Sequence, residues 1–276
     1  GDTGINYHLN RTDAKLKEKI MESGIKLYCV RGNHEESPCR MSTMELQYDP
    51  EVKNKVWVEN EFPHIRYFED GELYEIAGHS VLVIGGAYSP DMEYRLTRKM
   101  PWFPFEQLTA GQMAKISINY SGKEVDFILS HTAPLSWSPE DLFLPYFDQS
   151  KIDKTMEKWM DELKDCVKWK VWLFGHYHDD RLIRPHVQMF HNHIEDINKI
   201  WYRWSEGYPD WYLKKDPHYY LDDNYYWDLD TIGTGEGYYI TNGYAIPIKW
   251  SKSSRSSKTK YTYNTALLFS SSLVFF

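Results

Sequence analysis

Cysteine is scarce in this chain. Its three cysteines, Cys29, Cys39 and Cys166, share no paired spacing and form no Cys-x-x-Cys motif, which argues against a disulfide scaffold and against a thiolate metal site. A basic excess is missing as well: 32 Lys+Arg against 40 Asp+Glu leave a formal net charge of −8. A nonspecific nucleic-acid binder needs a basic footprint to neutralise phosphates, so nucleic acid is disfavoured as a partner. No run approaches the ~20 consecutive apolar residues of a membrane helix, and no charged-then-apolar leader opens the chain. These absences predict a cytoplasmic protein with no membrane partner. What is present is enough for a core, since 42% of the 276 residues are hydrophobic. That length suits one large domain or two small ones.

Apolar runs that stop abruptly at polar, often glycine-tipped, ends recur along the first two thirds. Residues 10–23 place Leu16 and Ile20 four apart among charges, which predicts a surface helix capped by Thr12 or Asp13 and stopped by Gly24. The segment from Ile25 to Val30 then reads as a buried strand ending at Arg31-Gly32-Asn33-His34. Residues 73–86 read as a hairpin around Gly78-His79, and 125–131 as a strand ending on Ser130-His131. Residues 171–178 form another, ending in Gly175-His176-Tyr177-His178, with one more strand expected over 183–190. Helices are expected around 106–118 and from Ile152 to Val167, the second carrying Met156, Trp159, Met160 and Leu163 at helical spacing. Strands interleaved with helices predict a layered α/β fold. Beyond about 197 the chain becomes rich in Trp and Tyr and then in Ser and Lys. The division expected is a catalytic unit over 1–197 and an extension over 198–276 whose order the sequence leaves open.

Chemistry concentrates where those strands end. Asp2 in "GDTG", Asn33 and His34 in "RGNHEE", His131 in "LSHT", and His176 with His178 in "GHYH" supply a carboxylate, an amide oxygen and imidazoles. That donor set suits Mn, Zn or Fe rather than Ca, which wants more oxygens. Each motif alone is weak, but their order, each after an apolar run, forms a joint pattern that chance rarely produces. His191 and His193 repeat a His-x-His spacing without a glycine-tipped strand before them, and are expected to close the domain. "GTGEG" lacks the Lys-Ser/Thr of a phosphate loop and the spacing of a dinucleotide fingerprint. Trp102 and Phe103 are open between a cleft lining and a packed loop anchor.

Over residues 1 to about 197 the pattern resembles the calcineurin-like metallophosphoesterase superfamily. The resemblance implies a four-layer αββα sandwich and a phosphoester substrate, a small molecule or a phosphoprotein, hydrolysed with two divalent metal ions. Asp2 would bridge the ions; Asn33, His131 and His176 would hold one of them, and His178 the other. His34 would serve as proton donor or transition-state stabiliser, and Arg31 could add a contact to a phosphate oxygen. Two ions roughly 3.5–4 Å apart would yield a bridging hydroxide at neutral pH and neutralise the phosphoryl oxygens. The family's opening Asp-x-His is not in this chain and is expected upstream, together with the first strand. Ile5 stands where many relatives carry a second Asp that orients the catalytic His, which leaves Glu35 as a candidate substitute. The alternative reading is a protein that keeps the fold but has lost catalysis and serves as a binding module.

Overall fold

In a computed structural model of the chain, residues 1–143, 145 and 148–206 are described, with strands at 236–241, 244–249 and 266–268. Two mixed sheets form the interior. The first contains β1 (Leu27–Cys29), β2 (Met44–Asp49), β3 (Asn54–Glu59) and β4 (Ile65–Phe68), in the spatial order β1-β4-β3-β2. The second contains β5 (Leu73–Ile76), β6 (His79–Ile84), β7 (Glu124–Ser130), β8 (Lys168–Phe174), β9 (Arg181–Arg184) and β10 (Val187–Met189), ordered β5-β6-β7-β8-β10-β9. Strands β6, β7, β8 and β10 run parallel, so their carboxyl ends open on one edge of the sheet.

The layers follow from period-2 burial. In β6, Val81 and Val83 face the first sheet while Leu82 and Ile84 face the helices. In β8, Val171 and Leu173 point the first way, and Trp172 and Phe174 the second. Strands buried on both faces read as continuous apolar runs, which is why the sequence shows them plainly. The helices α3 (Ala110–Tyr120) and α4 (Thr155–Cys166) cover the second sheet through Met113, Ile116, Met156, Met160 and Leu163. Against the first sheet lies α1 (Arg11–Ser23), whose Leu16 and Ile20 pack on Ile65 and Tyr67. Helix, sheet, sheet, helix is the four-layer αββα sandwich.

Local chemistry differs from expectation at several points. Asn10, not Thr12 or Asp13, caps α1: its side chain accepts from Thr12 N–H at 2.8 Å, while Asp13 accepts from the N–H groups of His8 and Leu9. Gly24 stops the helix at φ 71°. The strand expected over 183–190 is two strands, β9 and β10, turning at His186 with φ 68°. A short helix, α2 (Met92–Arg98), occupies the proline-rich connection, and β2, β3 and β4 fill 44–68, where no element was expected. A further helix, α5 (Ile197–Trp201), puts Ile197, Ile200 and Trp201 between the sheets, so core packing continues past residue 197. Strand β11 (Ile194–Asp196) pairs with 266–268, and 236–241 pairs with 244–249. Apart from those strands, the aromatic and Ser/Lys-rich extension lies outside the described residues. Among the described residues, no helix is long and apolar enough to cross a membrane.

Candidate metal centre

Four loops meet at the carboxyl ends of β1, β6, β7 and β8, the edge where open α/β sheets place ligands. Their backbones are tied to one another. Gly86 N–H donates to Arg31 O at 2.7 Å, His131 N–H to Ile84 O at 3.0 Å, and Gly175 N–H to His131 O at 3.0 Å. Asp2, His176 and His178 sit at φ 50°, 72° and 58°, a region that L residues seldom occupy. Such strain persists where surrounding contacts over-determine the backbone, and it clusters at functional sites.

The side chains converge. Asn33 Oδ1 lies 2.8 Å from His131 Nε2 and 3.2 Å from His176 Nδ1, and His131 Nε2 lies 3.4 Å from Asp2 Oδ2. One ligand atom from each of Asp2, His131 and His176 fits within 4.8 Å of the others. The orientation of Asn33 is fixed from behind: its Nδ2 donates to Ser89 Oγ at 2.8 Å, and Ser89 Oγ donates to Glu106 Oε2 at 2.6 Å. With the amide nitrogen committed, the oxygen must face the histidines. Asp2 Oδ1 accepts from His34 N–H at 2.8 Å. Gly32 makes room for this contact, since a Cβ there would come within 2.8 Å of Asp2 Cγ.

Burial sets the charges. It pushes His176 well below the ordinary imidazole range and lowers His131 too, so both rings stay neutral with a lone pair available. Burial works against an ionised Asp2, but His131 and the His34 backbone N–H outweigh it and hold the carboxyl well below its usual range. His131 Nδ1 is buried with no hydrogen-bond partner among the described residues. An anionic carboxylate, an amide oxygen and two neutral imidazoles converging on one centre are a donor set that fits a divalent ion.

The His178 ring stacks on that of His191, with 5.1 Å between centroids. His193 is buried beside Glu195 at 3.3 Å and stacks on Phe190. Arg31, the candidate for a phosphate contact, is engaged by its neighbours. It is 2% exposed, donates to Asp70 Oδ2 at 2.8 Å and to Glu106 O at 2.9 Å, and braces the strand ends instead. Glu35 does not orient His34 either. Its carboxylate accepts from Gly32 N–H, Thr3 Oγ1 and Tyr67 OH, and Ile5 beside it is core. Trp102 donates to Glu106 Oε2 at 3.0 Å and Phe103 is buried, so both anchor the loop.

The residues around His34 are ones that sequence reasoning missed. Arg95 from α2 brings Nη2 to 3.1 Å from the His34 ring nitrogens, and Asp91 Oδ1 lies 3.9 Å from His34 Nε2. A short polar helix after a paired glycine, Gly85-Gly86, was the available signal.

Against known proteins, a family model described as calcineurin-like phosphoesterase matches residues 1–180. The match spans well over half of the 276 residues, and the chain belongs to that family. A second model, "Protein of unknown function (DUF3048) C-terminal domain", matches residues 211–269. Comparison with curated proteins and with solved structures finds no significant match.

Proposed function

We propose that this chain is a metal-dependent phosphoester hydrolase that acts with two divalent cations, on phosphomonoesters first. One observation carries the reading: Asp2, Asn33, His131 and His176, distant in sequence, aim their donor atoms at a common centre beside His34. Asp2, Asn33, His131 and His176 would hold one ion, and Asp2 with His178 the other. Bound there, divalent cations polarise a water and neutralise phosphoryl oxygens, the largest contributions to such a reaction.

The chain's own residues do the rest. His34 is anchored through its backbone N–H on Asp2, while its ring remains 23% exposed. Burial draws that ring toward its neutral form, so at neutral pH it offers an N–H to a phosphoryl or leaving-group oxygen. Ser89 and Glu106 keep Asn33 from rotating, and Glu35, Thr3 and Tyr67 keep the loop of Gly32 in register. Preorganisation of this kind removes reorganisation from the barrier.

The test is hydrolysis of 4-nitrophenyl phosphate by the full chain after chelation and reloading with Mn, Zn or Fe. Turnover should require the metal and disappear in His176→Ala; metal-independent turnover would overturn the proposal.

A further inference from the structure

Arg95 is a long cationic side chain with only 7% of its surface exposed, and it enters the site from an element the ligand motifs do not touch. Three sides of its guanidinium are pinned. Nε donates to Asp91 Oδ2 at 2.7 Å, Nη1 donates to Tyr7 OH at 3.0 Å, and the group lies over the Tyr7 ring with 5.7 Å to its centroid. Nη1 also approaches Pro101 O at 3.4 Å. Nη2 is left on the side of His34, 3.1 Å from its ring, and His34 in turn stands 3.8 Å from Asp2 Oδ2. Arg95 and Asp2 therefore both stand against the His34 ring.

We propose that Arg95 is the specificity-determining residue of this site, selecting a phosphomonoester dianion over a phosphodiester. The assignment rests on the phosphoester reading above. A monoester presents three non-bridging oxygens and two negative charges; a diester presents two such oxygens and one charge. A phosphoryl group beside His34 would come within reach of both the metal ligands and the Nη2 edge. In a monoester the oxygen reaching that edge is anionic and accepts a charge-assisted hydrogen bond. A diester places a neutral ester oxygen and its substituent there, against a buried cation that gains nothing in exchange for its lost water. Because Asp91 and Tyr7 already fix the fork, little rotamer freedom remains to be lost on binding.

The experiment compares wild type, Arg95→Gln and Arg95→Lys on 4-nitrophenyl phosphate and bis(4-nitrophenyl) phosphate. Metal content and thermal melting are measured alongside. Arg95→Gln should lower kcat/KM for the monoester about 10- to 100-fold, mainly through KM, as for loss of a hydrogen bond to a charged group. The diester should change less than about threefold on the same scale, and Arg95→Lys should recover part of the monoester loss. Equal losses on both esters, or an unchanged monoester, would overturn the assignment. If Arg95→Gln melts far below wild type, Arg95→Lys is read the same way, with a smaller expected drop. Binding of inorganic phosphate, measured by calorimetry, gives a readout independent of turnover. It should weaken about tenfold or more in Arg95→Gln, and unchanged binding would overturn the assignment. A wild type that binds phosphate through Arg95 yet hydrolyses neither ester would sink the hydrolase reading and leave Arg95 as the anion contact.

Discussion

Gly32→Ala adds one methyl group at the point where two distant parts of the site touch. Its Cβ would lie 2.8 Å from Asp2 Cγ, and nearer still to Asp2 Oδ1 and the Asp2 backbone nitrogen, whereas ordinary contact begins at 3.4 Å. Asp2 must therefore retreat by roughly 1 Å, a shift large enough to spoil a ligand position. It cannot move freely, because Oδ1 holds the His34 N–H at 2.8 Å and the residue is 3% exposed. Overpacking of this kind costs about 1–3 kcal/mol of stability. Displacing Asp2 should also weaken metal binding about 10- to 100-fold, the range seen when a ligand's support is removed. Gly111→Ala is the matched control: it lies in α3 with no described residue within 4 Å of the new Cβ, and should stabilise by about 0.5–1 kcal/mol. Urea denaturation with and without Mn, plus a metal titration of each variant, reads both effects. Wild-type metal affinity in Gly32→Ala would refute the placement of Asp2.

Ser89→Ala removes the acceptor that fixes Asn33 Nδ2, so the amide can rotate; a metal titration should show about 10- to 100-fold weaker binding with a folded chain. Burial raises the Glu157 carboxyl to about 7, and its Oε2 has no hydrogen-bond partner among the described residues. A folded pKa raised above the unfolded value of 4.5 means stability is fully present below pH 4.5 and is lost as pH rises through 7. Glu157→Gln should therefore match wild type at pH 4 and exceed it by about 3 kcal/mol at pH 8 in chemical denaturation.

The motifs ending on His131 and His176 were legible because each follows a strand buried on both faces toward its end, whose apolar run marks where the polar loop begins. β2 was not legible: in "MELQYD" only Met44 and Asp49 are buried, so the strand carries no hydrophobic run. Helix α2 has 7 residues, too few to display a helical period, and proline-rich flanks hide it. Arg31 shows the other limit. Adjacency to "GNH" places its backbone at the site, but the side chain is held by Asp70 and Glu106 O, whereas Arg95, 61 residues beyond His34, brings its guanidinium against the His34 ring. Ile5 and Glu35 likewise exchange no roles, because Glu35 is consumed by Thr3, Tyr67 and Gly32.

The central claim is that Asp2, Asn33, His131 and His176 form one cation site, and equilibrium metal binding tests it without reference to any substrate. The chelated chain, dialysed against Mn or Zn and assayed by elemental analysis, should retain one tightly held ion, because four side chains serve that position. A second ion, resting on Asp2 and His178, should be weaker, and His131→Ala should lose the tight one. A wild type that retains no metal, or a His131→Ala chain that retains as much as wild type, would contradict the account.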